Sequence, residues 1–288
     1  MSTILEIKNL NKSFKDSYFS LQDVSFSIPE GAIMGFVGEN GAGKSTSIGC
    51  MLNTLKPDSG TIKIFGRDMT DDAVDIRDEI GVVYDTTPFP SHLTPAKISS
   101  AMRHIFSKWD DALFNSYLVK FKLPANQRIK ELSRGMTMKL GVAAALSHRP
   151  RLLILDEATS GLDPIVRDDI LDVFLDFVQD ERNSILLSSH ITSDLEKVAD
   201  YITFIHEGKI ILSEAKDNLI YNYGVMRCKA AQFEQLDQED ILTYRKHDYQ
   251  IDVLVADRQM AQKKYHDIVI DTISIEEIMV MLVKGGRK

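Results

Sequence analysis

The chain has 288 residues, of which 44% are apolar and 26% charged. This composition is typical of a globular protein and excludes extensive disorder and collagen-like sequence. Because 42 Asp and Glu exceed 34 Lys and Arg, the formal net charge is −8, and nucleic acid is not expected as a partner.

Neither secretion nor membrane insertion is indicated by the sequence. Cys50 and Cys228 lie far apart, which matches neither a disulfide framework nor a metal motif and favours a reducing, cytoplasmic compartment. The N-terminus alternates as a strand does and lacks the basic and apolar regions of a secretory signal. Apolar runs such as 278–283 are shorter than the ~20 residues of a membrane-spanning helix.

The first part of the chain is predicted to be rich in strands. Three strands are indicated at 4–10, 21–28 and 32–37. A glycine-rich loop follows, then a helix that ends near Pro57, then a strand at 61–65. Strand, loop, helix and strand together predict a βαβ unit.

The pattern becomes helical from about 86 to 148, where Pro95 lies near one helix start and an apolar stripe follows. The stripe consists of Leu113, Tyr117, Leu118 and Phe121. We interpret this region as a helical subdomain.

Two continuously apolar runs, 152–155 and 185–187, are typical of central strands that are buried on both faces. Between them, Asp163 and Pro164 predict the start of a helix. Ser193 is predicted to begin the next helix as part of a capping box with the glutamate three residues later.

The remaining elements predict the end of the main domain and a small appendage. A hairpin is expected at Glu207 and Gly208. After about Leu219 the pattern becomes mixed, with candidate strands at 250–255 and 267–270 and a final helix. That helix is expected at residues 275–282.

Nine consecutive residues between the third strand and the next helix contain the motif G-x-x-x-x-G-K-[ST]. They are Gly38, Glu39, Asn40, Gly41, Ala42, Gly43, Lys44, Ser45 and Thr46. In this context the motif predicts a P-loop, whose backbone N–H groups bind phosphate oxygens at a helix N-terminus. Lys44 would bring positive charge to the β and γ phosphates, and the Ser45 hydroxyl would ligate Mg²⁺.

Adjacent carboxylates end the apolar run at 152–155. Because successive strand residues face opposite sides, Asp156 can approach Mg²⁺ while Glu157 faces a different partner. We predict that Glu157 is the general base for an attacking water.

Three further segments complete an ordered set: Leu-Ser-Arg-Gly-Met at 132–136, Ser-Gly-Leu-Asp at 160–163 and Ser-His at 189–190. Together with the P-loop and the Asp-Glu pair, they resemble the ATP-binding cassette (ABC) family over roughly residues 1–215.

The resemblance implies an α/β fold of the P-loop NTPase, ABC type. It has a RecA-like core, an N-terminal antiparallel β subdomain and a helical subdomain at about 86–148, all within an ATPase domain at 1–218. A small C-terminal α/β accessory domain would occupy 219–288.

The resemblance also implies a head-to-tail dimer with a second ABC protomer, identical or paralogous. ATP would lie between the P-loop of one protomer and Ser133 and Gly135 of the other, and a helix N-terminus with a hydroxyl suits that anion. His190 matches the switch histidine that contacts the γ phosphate and the water. Asp163 matches the aspartate that shapes the dimer interface, and Phe14 matches the aromatic that stacks on adenine.

The sequence departs from the family pattern in two motifs. Asp85 stands where the family usually has Gln, and its carboxylate can reach Mg²⁺ or water. The signature is Ser-Arg-Gly-Met where Ser-Gly-Gly-Gln is commonest. Arg134 either adds a charge near the phosphates or points to solvent.

The function that this resemblance implies is ATP hydrolysis, with Mg²⁺, by a subunit of a transporter. Its membrane permease would be a separate polypeptide, which places the chain at the cytoplasmic face of the cell membrane. The chain resembles bacterial two-component exporters of peptides, antibiotics or bacteriocins, including Gram-positive exporters of phenol-soluble modulin peptides. The alternatives are a soluble ABC ATPase that acts on ribosomes or chromosomes, and a P-loop kinase or GTPase.

Overall fold

The computed structural model describes residues 2–16, 18–70 and 72–286; residues 1, 17, 71, 287 and 288 of the predicted domains lie outside this description. The chain divides into two compact units. The first runs to Ala199 and includes Ile205–Ile210, and the second contains Asp200–Phe204 and continues from Ile211.

The first unit begins with strands and one helix. They are β1 (Thr3–Ser13), β2 (Ser20–Pro29), β3 (Ile33–Val37), α1 (Lys44–Met51), β4 (Ser59–Ile64) and β5 (Arg67–Asp68). An antiparallel sheet is formed in the order β2, β1, β4, β5. The predicted strands of this region are confirmed, as is the N-terminal antiparallel β subdomain.

The middle of the unit is helical, as predicted. Its elements are α2 (Val74–Arg77), β6 (Ile80–Tyr84), α3 (Pro95–Met102), α4 (Asp111–Lys120), a 3₁₀ turn (Ile129–Glu131) and α5 (Arg134–Leu146). Thr94 caps α3 and Pro95 is its first residue. In α4 the fully buried ring is that of Phe114, whereas Leu113 of the predicted stripe is only half-buried.

The strands that complete the central sheet follow. The elements are β7 (Leu152–Asp156), α6 (Pro164–Phe177), β8 (Ser184–Ser189), α7 (Thr192–Val198), β9 (Tyr201–His206) and β10 (Lys209–Ala215). Within the first unit the strands lie in the order β3, β8, β7, β6, and all three pairs are parallel. Every residue of β3, β7 and β8 is buried, which explains why these strands read as continuous apolar runs.

One of the two predicted helix starts is confirmed. The Asp163 carboxylate accepts hydrogen bonds from the N–H groups of Ile165 and Val166, and α6 begins at Pro164. The capping box predicted at Ser193 is wrong, because α7 already begins at Thr192 and its N-cap residue has no side-chain cap. The turn before α7 is instead held by Ser189, whose Oγ accepts from the following isoleucine N–H.

The second unit contains short helices and strands. After β10 come α8 (Lys216–Tyr221), β11 (Gly224–Cys228), α9 (Ala230–Glu234), a 3₁₀ turn (Gln238–Asp240), β12 (Thr243–Lys246), β13 (Ile251–Val255), α10 (Arg258–Lys264), β14 (Val269–Asp271) and α11 (Ile275–Lys284). The antiparallel sheet has the order β12, β13, β11, β14. From β11 to β14 this is the β-α-β-β-α-β arrangement called ferredoxin-like.

One apolar cluster of the second unit lies on one face of this sheet. Alternate residues of β11 and β13, Met226, Cys228 and Val253 among them, pack with Phe233 and Leu236 from the α9 region. The β-branched and aromatic content of this cluster suits a pleated strand surface. None of the helices in the described ranges is long and apolar enough to cross a membrane.

Candidate nucleotide site

The glycine-rich loop joins the end of β3 to the start of α1 and has a backbone that only glycine adopts easily. Gly41 and Gly43 have φ angles of 84° and 116°, in the left-handed region. A Cβ at Gly43 would lie 2.7 Å from Leu21 Cδ2 and 3.0 Å from Phe19 Cζ. The loop therefore reaches the N-terminus of α1 with the geometry that presents N–H groups to phosphate.

Lys44 is the first residue of α1 and is 5% exposed. Its Nζ donates hydrogen bonds to Gly38 O at 2.6 Å and to Glu39 O at 3.2 Å. The same ammonium lies 3.2 Å from Glu157 Oε1. This last contact is an ion pair without hydrogen-bond geometry, since Oε1 has no hydrogen-bond partner.

Asp156 ends β7 and is 8% exposed. In the parallel ladder it lies beside Ser188, and Ser188 Oγ donates to Asp156 Oδ1 at 3.0 Å. Sequence reasoning did not identify Ser188 as part of the site. The signal for it was its position at the end of a buried strand, two residues before His190.

Glu157 and His190 are brought into direct contact. Glu157 Oε2 lies 2.6 Å from His190 Nδ1, so this carboxylate bridges Lys44 and His190. The backbone of Glu157 is left-handed, with φ of 56°, and its N–H donates to Ser188 O. The direction of the Glu157 side chain is thus set by a turn after the strand. Strand alternation, the reason expected from the sequence, is wrong.

A Mg²⁺ ion fits the residues at this edge of the sheet. Ser45 is exposed at the start of α1, and Asp85 follows Tyr84, which pairs with Asp156 between β6 and β7. Within the described part of the chain, no group of three or more His, Cys, Asp or Glu could hold a metal. Mg²⁺ needs no such group, since it commonly takes one or two carboxylates together with substrate phosphates and water.

Phe14 and Phe19 are two of the aromatic residues in the segment between β1 and β2. Phe14 is 37% exposed, and its ring centroid lies 5.6 Å from Lys12 Nζ. An aromatic ring that does touch the loop is that of Phe19, through Gly43. A cavity of about 520 Å³ beside the loop is lined by Phe19, Gln22 and other residues.

Ser133 and Gly135 lie at the start of α5. Ser133 is the N-cap, and its Oγ accepts from Met136 N at 3.2 Å. A Cβ at Gly135 would lie 3.1 Å from Val166 Cγ1, so α5 and α6 approach closely here. The described contacts of both residues are thus with α5 and α6.

Arg134 is exposed, which agrees with the second alternative from the sequence, and it also makes a contact that was not predicted. Its Nη2 donates to Ser160 O at 2.9 Å, and Ser160 belongs to the loop between β7 and α6. Asp163, at the end of the same loop, uses its carboxylate to cap α6.

A large groove lies in the first unit between β6 and the helices α3 and α5, with a volume of about 950 Å³. Its lining is mostly apolar and includes Tyr84, Asp85, Phe106, Met138 and His148. The His148 ring stacks on Phe106 with ring centroids 4.0 Å apart. Burial lowers the pKa of His148, so its neutral form is favoured at this wall.

Comparisons with known proteins find relatives among ATP-binding proteins of transporters. A family model described as ABC transporter matches residues 21–160. The chain is 33% identical over 261 residues to the bacitracin transport ATP-binding protein BcrA of Bacillus licheniformis, covering 87% of this chain and 83% of that protein. It is 36% identical over 217 residues to the lantibiotic transport ATP-binding protein SrtF of Streptococcus pyogenes, covering 74% and 92%.

Solved structures agree in fold. One is an ATP binding subunit of an ABC transporter, with a TM-score of 0.69 and 26% identity, covering 75% of this chain and 92% of that chain. Another is an ATP-binding cassette bound to ADP and Pi in a dimeric, post-hydrolysis state, with a TM-score of 0.66 and 21% identity. That match covers 74% of this chain and 98% of the other, and at this identity the likeness concerns the fold alone.

Proposed function

Because this chain belongs to the ABC transporter family of ATP-binding proteins, we propose that it powers a bacterial exporter of peptides or antibiotics whose permease is a separate polypeptide. The chain is an ATPase of α/β, P-loop fold, and hydrolysis of ATP coupled to transport is the activity of this family. Relatives named for bacitracin transport and lantibiotic transport support this class of cargo.

The observation that carries the catalytic proposal is the cluster of Lys44, Glu157 and His190 at the carboxyl ends of parallel strands. Glu157 accepts a proton from the water that attacks the γ phosphorus, while the bond to the β–γ bridging oxygen breaks and releases ADP and phosphate. His190 holds the carboxylate of Glu157 and reaches towards the γ phosphate from the end of β8. Lys44 neutralises phosphate charge.

The P-loop residues bind the phosphates of ATP, and Phe14 stacks on adenine. Ser45, Asp156 and Asp85 would hold Mg²⁺, which supplies charge stabilisation at the phosphates. Asp156 accepts a hydrogen bond from Ser188, which keeps one carboxylate oxygen oriented at the strand end. This contact supports the role of Asp156 as a Mg²⁺ ligand.

Two interfaces are part of the proposal. A second protomer would place its Ser133 and Gly135 on the nucleotide, with Asp163 at the dimer interface. The permease would dock in the groove beside Asp85, at the cytoplasmic face of the cell membrane. The apolar lining of the groove suits a helix from such a partner. Residues 219–288 would be an accessory domain.

The test is affinity capture of Glu157→Gln protein from detergent-solubilised cells with Mg-ATP, followed by mass spectrometry. We expect one multi-span membrane protein in near-equal amount, since blocked hydrolysis retains the ATP-bound state. Lys44→Ala protein is the control and should recover less of this partner. Recovery of ribosomal or chromosomal proteins with no membrane partner would overturn the transport proposal and leave the ATPase chemistry intact.

A further inference from the structure

Arg134 joins two segments of the first unit that are far apart in the sequence. It is the first residue of α5, and its Nη2 donates to Ser160 O at 2.9 Å. A Cβ at Gly161 would lie 3.0 Å from Arg134 Nη1, so the guanidinium lies directly against that glycine. The start of α5 is thereby bonded to the loop between β7 and α6.

The loop itself is held at several points, since Ala158 and Thr159 are fully buried and Arg167 Nη2 donates to Leu162 O at 3.4 Å. Ser160 N donates to Glu157 O at 3.1 Å and Leu162 N donates to Thr159 O at 3.5 Å, a long contact. Gly161 has φ of 65° and bears no side chain that would exclude the guanidinium. Arg134 is exposed, but its charged donor makes a stronger hydrogen bond to a carbonyl than a neutral donor does, so this bond adds a restraint at Ser160.

Nearby contacts extend the junction between α5 and α6. Gly135 approaches Val166 as described above, and Lys139 Nζ lies 2.6 Å from Asp169 Oδ2. Lys139 is 9% exposed, so this ion pair is partly shielded from solvent. Arg134 therefore bonds the loop to the start of α5, where α5 already packs on α6.

We propose that Arg134 is a positioning residue that holds the Ser160–Gly161 loop against the start of α5, so that this loop and Ser133 meet a second protomer as one rigid surface. The part that concerns a second protomer rests on the proposed function. A glycine at this position, as in the commonest signature, has no side chain that could make the bond.

Two consequences distinguish this role from a contact that only stabilises the fold. A surface ordered before association loses less conformational freedom when it binds, so loss of Arg134 should weaken association between protomers. Binding of ATP to the P-loop of a single protomer should not depend on it.

The first test is hydrogen–deuterium exchange of the full chain without nucleotide. In Arg134→Met protein we expect exchange at the amides of Ser160 and Leu162 to rise about tenfold, because a hydrogen bond from a charged donor is lost. Arg134→Lys retains a charged donor and should restore most of the protection. Arg128→Met, an exposed arginine on the same subdomain, should stay within about twofold of the unmodified protein. Unchanged exchange in Arg134→Met would overturn the proposal.

The second test uses sedimentation of Glu157→Gln protein with Mg-ATP. Adding Arg134→Met should raise the protein concentration for half-dimerisation about tenfold, with the ATP affinity of the monomer within about twofold. Equal dimerisation despite a loosened loop would overturn the rigid-surface part of the proposal. If Glu157→Gln protein alone stays monomeric, the proposed dimer fails, while the exchange experiment still decides whether Arg134 holds the loop.

Discussion

At the scale of single residues, the site depends on one carboxylate that serves two neighbours. Glu157 contacts Lys44 through Oε1 and His190 through Oε2. The neighbouring Asp156 is bonded to Ser188 instead, so the two adjacent carboxylates have separate surroundings. This separation supports the different roles proposed for them, general base and Mg²⁺ ligand.

Glu157→Gln tests the proposed general base. The amide is nearly isosteric but cannot accept the proton, so we expect phosphate release to fall by about 10²- to 10⁴-fold while ATP still binds. Phosphate release and equilibrium ATP binding are to be measured on the same preparation. Glu181→Gln, an exposed glutamate, is the control and should hydrolyse ATP normally. Turnover of Glu157→Gln at the rate of the unmodified protein would rule out Glu157 as the base.

Asp58 carries a pH-dependent contribution to stability near Phe14. Its carboxylate accepts hydrogen bonds from Ser13 Oγ, Ser13 N and Lys12 Nζ, and these lower the pKa of Asp58 from 3.8 to about 2. Because the folded pKa is depressed, the ionised form stabilises the fold above about pH 4, and this contribution is lost as the pH falls towards 2.

We therefore expect Asp58→Asn to be less stable than the unmodified protein at pH 7, with the difference shrinking between about pH 4 and pH 2. Urea unfolding at several pH values in this range measures it. Asp72→Asn, at an exposed carboxyl, serves as the control. A difference that stays constant over this range would contradict the role of Asp58.

At the scale of elements, the sequence predicted what local pattern determines and missed what depends on distant contacts. The P-loop, its βαβ unit and the start of α6 have strong local signals, and all were predicted. β11 and β12 were missed; in β11, Gly224–Cys228 is buried on both faces and shows no alternation. The bond from Arg134 to Ser160 could not be foreseen, since it joins residues 26 positions apart.

Two glycines lie where α5 packs on β6, and substitutions at them form a matched pair of variants. A Cβ at Gly81 would lie 2.8 Å from Ala145 O and 2.9 Å from Leu153 Cδ1, so Gly81→Ala should destabilise the protein by about 1–3 kcal/mol. A Cβ at Gly141 would lie 3.6 Å from Val83 Cγ1, an ordinary contact. Gly141→Ala should therefore stabilise the helix by up to about 1 kcal/mol.

Thermal and urea unfolding of both variants check this difference. Equal stabilities for Gly81→Ala and Gly141→Ala would show that β6 and α5 are separated by more space than the structure indicates.

At the scale of the whole molecule, each compact unit contains one buried cysteine. Cys50 lies in α1 and Cys228 in β11, and both are at most 2% exposed. Burial raises the pKa of both thiols, that of Cys228 to about 11. Because the thiolate is the reactive form, neither cysteine should be alkylated at pH 8 while its unit is folded.

The two thiols can therefore report on the unfolding of the two units separately. We expect Cys228 to react with iodoacetamide at a lower urea concentration than Cys50, because a smaller unit buries a smaller fraction of its surface. Mass spectrometry of the labelled peptides at each urea concentration measures both sites. Labelling of either thiol in native buffer, or coincident transitions, would contradict this expectation.

The left-handed backbone of Glu157 means that the proposed general base is not the residue that would make the fold most stable at this position. A non-glycine residue in that region costs of order 1–3 kcal/mol, whereas glycine adopts it freely. The ion pair with Lys44 offsets part of the cost in this chain. Selection for thermal stability alone would therefore favour replacement of the Glu157 carboxylate. Laboratory evolution at high temperature without an activity screen would then yield a more stable but inactive protein.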